Sequence, residues 1–181
     1  MMAHIVMKNF VQKYWSETEG LAAVEAALLF PALLVILVST VDIGNAFVSN
    51  QKVITAAQTT ADLITREENP TLDERADAIK AGQLAMSPYS LTTYEYIVVS
   101  YRFANNGSPE VVWQESSGGT EIDADMTNGL TDLGGPGEGV VVVKIEYVYT
   151  PFFTGFVIGD IPMKEVAYLR GRKSPIVGNP L

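Results

Sequence analysis

Residues 21–41 read LAAVEAALLFPALLVILVSTV, the one apolar run of membrane length in the chain. As a helix rising about 1.5 Å per residue, this stretch covers roughly 30 Å, the thickness of a bilayer's hydrocarbon core. Glu25 is its single charge, and Ser39 and Thr40 are its hydroxyls. A carboxylate at that depth costs several kcal/mol, on the order of 3, unless it reaches the interface or finds a partner, so Glu25 is a functional candidate by default. Pro31 withholds one backbone N–H from the same helix, and a kink is expected over 27–31. That kink is either a tolerated irregularity or a point of local unwinding that helps the helix leave the bilayer.

The flanks set an orientation. Lys8 and Lys13, followed by Tyr14 and Trp15, place positive charge and interfacial rings ahead of the run and favour a cytoplasmic N-terminus. Ser16-Glu17-Thr18-Glu19 reads as a capping box that starts the helix just before Gly20. Beyond Val41 the helical period continues. Phe47, Ile54 and Ala61 recur every seven residues with Ala57 and Ile64 between them, so one helix is expected from about Ser16 to Glu67. Asn69-Pro70 stops it. Thr71-Leu72-Asp73-Glu74 opens a second helix that runs to about Met86, and Ser87-Pro88 closes that one.

The remainder is strand-like. Residues 94–103 alternate Ile97, Val99, Tyr101 and Phe103 against Ser100 and Arg102, and a second strand follows at 110–115 after a turn-rich segment. Residues 139–150 put Val141, Val143, Ile145, Tyr147 and Tyr149 on one face and Lys144 and Glu146 on the other, and 163–170 form a weaker fourth strand. Short turns favour antiparallel pairing, with the amphipathic helix covering one sheet face. The expected fold class is α+β: a long N-terminal helix and a small antiparallel-sheet head. Between Ser116 and Gly139 the chain is dense in Gly and Asp and reads as a loop with one short helical turn near 125–130. The end, SPIVGNPL, reads as a frayed tail.

Composition narrows the function classes. The 181 residues carry a formal net charge of −9, and with the three acids and two lysines up to Val41 set aside the remainder still carries −8. An acidic chain without a basic stripe offers nothing to nucleic acid. The absence of cysteine excludes disulfides, thiol chemistry and Cys-based zinc sites, and the single histidine, His4, leaves little material for a metal centre or a Ser-His pair. No cofactor or metal is expected. Glu121, Asp123, Asp125 and Asp132 cluster in the Gly-rich loop, but the sixth position counted from Asp123 is Asn128 and the twelfth is Gly134, which breaks the EF-hand pattern. The cluster reads as a solvated acidic loop. No serine, aspartate or lysine stands in a nucleophile elbow, P-loop or paired-acid setting, so an enzyme is not expected. Most of the aromatic residues sit at strand spacing, where they read as core. Tyr149, Pro151, Phe152 and Phe153 form an apolar loop that could serve as a partner surface.

Gly20 stands five residues before Glu25 at the membrane border, the layout of a type IV prepilin processing site. The stretch EGLAAVEAALLFPALLVILVSTVDIGNAF resembles the TadE-like family in its small-residue VE-A-L start, its mid-membrane proline and its Asp-x-Gly exit. The final strands, with VVVVKIEYVYTPFF and MKEVAYLRGR, are also similar to the way such proteins end. The resemblance implies a pseudopilin of a tight-adherence (Flp-type) pilus system, with a pilin-like plan of long helix and small α+β head. It implies a leader of residues 1–20 removed by an aspartate-dependent prepilin peptidase at the bond between Gly20 and Leu21. It further implies a transmembrane helix at 21–41, an amphipathic extension at 42–67 and a periplasmic head at 68–181. Partners would be other pilin-like subunits, the assembly machinery and the inner membrane, crossed once. Glycine lets the backbone enter a protease extended. After cleavage the new amine of Leu21 lies one helical turn from Glu25, which also meets the positive end of the helix dipole. In a filament Glu25 could instead pair with a neighbour's amine. Ala26 stands where an aromatic residue usually follows the glutamate in pilins, a departure that suits an accessory subunit. Two other readings remain open. One is a signal-anchored periplasmic binding module; the other is a secreted β-domain released after Ala46, where Gly44-Asn45-Ala46 offers small residues to signal peptidase.

Overall fold

In the computed structural model, residues 18–130 and 133–179 are described, and the elements follow the expected order. Helix α1 spans Thr18–Ile64, α2 Leu72–Ala85, and strands β1 and β2 Glu95–Phe103 and Pro109–Ser116. The short helix α3 (Ala124–Asn128) precedes β3 (Gly139–Tyr149), and α4 (Gly155–Ile158) precedes β4 (Ile161–Leu169). The proposed capping serine, Ser16, lies outside the described residues. The chain divides into two compact units, Met1–Asp42 and Ile43–Leu181.

The described part of the first unit is the apolar start of α1. Its large side chains, among them Leu28, Leu29, Phe30, Leu33 and Ile36, are exposed. Its two hydroxyls are satisfied within the helix: Ser39 donates to the Val35 carbonyl at 2.7 Å and Thr40 to that of Ile36 at 2.9 Å. A helix meant for hydrocarbon must close its polar groups internally in this way.

The second unit is an α+β head. Its sheet is antiparallel throughout in the order β2-β1-β3-β4, with β1 paired to β3 from Glu95 opposite Glu146 to Arg102 opposite Gly139. On one face, α1 beyond Ile43 and α2 pack against Val98, Trp113, Val141, Val143, Ile145 and Tyr147. The buried stripe of α1 is Val53, Ala56, Ala57, Thr60, Ala61 and Ile64. This differs in phase from the expected stripe, because Phe47 is 66% exposed and Ile54 is half-buried. Small residues decide the phase. Gly82 of α2 approaches α1 so closely that a Cβ there would fall 2.1 Å from the Thr60 hydroxyl and 3.1 Å from the Ala56 carbonyl oxygen. The Thr71 capping box of α2 forms as expected, with Glu74 bonding back to the Thr71 N–H at 2.8 Å.

Three expectations need correction. The second sheet face is not open to water: Ile97, Val99, Tyr101, Phe103, Val140 and Val142 are covered by Met126 and Leu130 from the Gly-rich segment. The apolar set of β1 read from alternation thus faces the opposite layer from that of β3, since Ile97 pairs with Lys144 and Val98 with Val143. Ser100, assigned to a polar face, is fully buried and donates to the Val177 carbonyl at 2.6 Å. The tail is docked as far as it is described. The Val177 carbonyl also accepts from the Trp113 indole at 3.1 Å, Gly178 N–H bonds the Glu68 carbonyl at 2.8 Å, and Asn179 accepts from Arg75 at 2.8 Å. Arg75, buried, lies 3.8 Å from the Trp113 ring centre, so the tail closes a polar and cation–π clasp that satisfies groups no helix or strand reaches.

Candidate functional site

Gly20, Leu21 and Glu25 lie in the first two turns of the described part of α1, all exposed. A Cβ on Gly20 would meet nothing within 4 Å, so packing does not require glycine there. In a helix interior glycine costs about 1 kcal/mol relative to alanine. Leu21 and Glu25 are four residues apart and share a helix face. Glu25 makes no ion pair among the described residues. Pro31 lies inside the helix, which is assigned without a break from Thr18 to Ile64; its missing N–H leaves the Ala27 carbonyl without its usual partner.

The acidic loop is a structural joint. Asp123 caps α3 by accepting from the Met126 N–H at 3.1 Å and receives the Lys144 ammonium at 2.9 Å. Lys144 is 3% exposed and also reaches Glu146 at 2.9 Å. Burial by itself would pull its pKa down, but the hydrogen bonds and charges of Glu146 and Asp123 hold it above the ordinary lysine value. The Lys144 hydrogen bond in turn holds Asp123 below the usual carboxylate range. Asp125 pairs with Lys164, and Tyr168 donates to the Asp125 carbonyl at 2.7 Å. Asp123 and Asp125 therefore secure the covering segment, which corrects the solvated-loop reading; Asp132 lies outside the described residues. No group of three or more metal-ligating side chains is present among the described residues.

The aromatic loop divides. Tyr149 and Pro151 are buried, with Tyr149 edge-on to Tyr89, while Phe152 is 83% and Phe153 46% exposed. Ala46, the candidate signal-peptidase position, is helical and packs against the core of the head.

Residues 20–62 match the family model described as TadE-like protein, so the match opens on Gly20 and includes Glu25, Pro31 and the buried stripe of α1 up to Ala61. The chain is thus similar to TadE-like proteins over the stretch that carries the candidate site. No curated protein and no solved structure matches. Among the described residues one helix, near the N-terminus, is long and apolar enough to cross a membrane, which suggests single-pass anchoring. TadE-like similarity points to a role in Tad pilus-related assembly and is not similarity to an enzyme family.

Proposed function

We propose that this chain is a pseudopilin, a pilin-like subunit needed to build a Tad (Flp-type) pilus and hence for adherence, processed by prepilin peptidase between Gly20 and Leu21. The observation that carries this reading is the TadE-like match over 20–62, the same stretch in which a glycine without any packing role precedes a helical carboxylate by five residues. The mechanism is structural. With the N-terminus cytoplasmic and the head on the periplasmic side of the inner membrane, the peptidase reaches the glycine at the membrane border. Cleavage exposes the Leu21 amine on the face of Glu25. The glutamate then pairs with that amine or with the amine of a neighbouring subunit, which offsets its desolvation and sets the register of helix against helix.

Intact-mass measurement of wild type and Gly20→Val from cells with an active prepilin peptidase tests this. The β-branched side chain restricts the extended backbone a protease must bind. The wild type should lack residues 1–20, and the variant should retain them, insert normally and fail to support piliation. A wild-type mass that includes residues 1–20 would refute processing and leave a signal anchor.

A further inference from the structure

The head has two unlike ends. At one, β1 begins, β3 ends at Tyr149 and β4 begins at Ile161. Tyr89 belongs to this end, because its ring packs on Tyr149 and its hydroxyl donates to the Asn45 carbonyl at 3.1 Å. The opposite end holds the β1–β2 turn and the C-terminal end of α1, where the Thr65 carbonyl accepts from the Arg172 N–H at 2.9 Å. That opposite end carries the ion pairs Arg66–Asp62, Arg102–Glu110, Arg170–Glu138, Arg172–Asp62 and Lys173–Glu67. The Tyr89 end instead exposes apolar side chains: Phe152 at 83%, Phe153, Ile158, Leu91 and, on α1, Phe47. Residues 150–160 between the last two strands carry one charged side chain, Asp160, at their far end, where it accepts from the Thr150 hydroxyl at 2.6 Å.

Chain continuity states what lies next to that end. Asn45 follows Val41, the last residue of the apolar run, by four residues, and four residues reach at most about 14 Å even when fully extended. The aromatic loop is therefore tied to the point where the chain leaves the hydrocarbon. Side chains of this kind partition into the boundary between headgroups and acyl chains, where their apolar surface leaves water.

We propose that the Tyr89 end of the head rests on the bilayer surface, with Phe152 and Phe153 inserted among the lipid headgroups. The proposal rests on residues 21–41 being a membrane anchor and is independent of leader removal. Because the loop carries no basic residue, anionic lipid is not needed, zwitterionic lipid suffices and salt has little effect.

The chain contains no cysteine, so a single nitroxide can be placed at will. Phe152→Cys and Phe153→Cys are compared with Asn106→Cys, an exposed position in the β1–β2 turn about 30 Å away along the strands. Each full-length variant is spin-labelled and reconstituted in phosphatidylcholine vesicles. The expected result is a several-fold lower collision rate with an aqueous nickel complex at 152 and 153 than at 106, and a higher rate with oxygen, unchanged by added salt. Equal nickel accessibility at all three positions in a chain that floats with the vesicles overturns the proposal alone. Dipolar broadening at 152 that grows with the protein-to-lipid ratio assigns the patch to a second copy of the chain and also overturns it. A chain that does not float with the vesicles overturns the anchor and the proposal together.

Discussion

Residues 20–41 and 43–64 are consecutive stretches of one helix, yet they bury themselves by opposite rules. The first exposes Leu28, Leu29, Phe30, Leu33 and Leu34, large side chains spread around the helix. The second hides Val53, Ala56, Ala57, Thr60 and Ala61 along one face and, beyond the exposed Ile43, Phe47 and Val48 at its start, leaves mostly charged and polar residues on the other. In lipid, apolar bulk on every side is favourable and no close neighbour is needed. In the head, the helix is held by contact with a sheet and a second helix, so small residues that permit close approach matter more than bulk. The difference teaches that hydrophobicity identifies the first stretch, whereas side-chain size identifies the second.

The largest effect should come from placing one charge in each stretch. Ala57→Asp buries an unpaired carboxylate against the sheet and should cost on the order of 4 kcal/mol of head stability, enough to unfold it. Ala32→Asp should leave head unfolding by urea in detergent unchanged and instead lower membrane insertion, by about 3 kcal/mol on translocon scales. Near-UV circular dichroism follows the head and carbonate extraction follows insertion. If Ala57→Asp leaves the urea midpoint intact, the packed-helix account of the second stretch is wrong.

A smaller loss is expected where the two helices of the head meet. Gly82→Val drives a side chain into Thr60 and the Ala56 carbonyl and should destabilise the head by about 1–3 kcal/mol. Thr60→Ala in the same chain should recover part of that loss by making room, a coupling that a urea double-mutant cycle reads directly. Additive effects would mean that the close approach is not the cause.

Much of the head was legible in the sequence because alternation is a strong signal. All four strands, the Thr71 cap and the end of α2 lie within a residue or two of expectation. What alternation could not supply was the second layer. Glycine and aspartate density made the segment after Ser116 look solvated, and Lys144 and Ser100 looked like solvent-facing residues. The Lys144 ammonium is buried between two carboxylates, Glu146 from its own strand and Asp123 from another element, and the second partner is invisible to alternation. A signal was nonetheless present: Ile122, Met126, Leu130 and Leu133 recur at helical spacing inside the loop, and all four pack on the second face. The tail was misread for a similar reason, since Ile176 and Val177 are an isolated apolar pair with no periodicity around them. The candidate site shows the reverse pattern. Gly20 and Leu21 rest on family resemblance and Glu25 on being the one charge in an apolar run, because nothing in the described fold holds or requires them.

Acid should loosen the covering segment. Asp123 has its folded-state pKa below the ordinary value of 3.8, held there first by the Lys144 hydrogen bond. The unfolded chain therefore takes up its proton first. The stability that Asp123 contributes is complete above that ordinary value and is lost as pH falls through the lower, folded one. Lys144 has the opposite sign: its folded pKa is raised above 10.5, so its contribution is complete below that value and is lost as pH rises through the folded one. Urea midpoints should be flat between these limits and fall as the pH drops below the ordinary value of 3.8. Lys144→Met, which removes the pair from one side, should flatten much of the acid limb; an unaltered limb would assign it to other carboxylates such as Asp62, held low chiefly by Arg66.

The smallest effect belongs to Pro31, and it sharpens the comparison because it touches only the first stretch. Pro31→Ala restores the N–H that the Ala27 carbonyl lacks and removes the ring from the turn before it. In a helix without tertiary neighbours the gain appears as slower amide exchange at 28–34 in detergent, with no change in the urea midpoint of the head. If the proline is a tolerated irregularity, piliation is unaffected by this stiffening. If local unwinding helps the helix leave the bilayer during assembly, piliation falls while insertion, leader removal and head stability all stay at wild-type levels. Measuring piliation beside those three controls separates the two roles, because the defect would then arise from the mechanical property of the helix and not from insertion, processing or head stability.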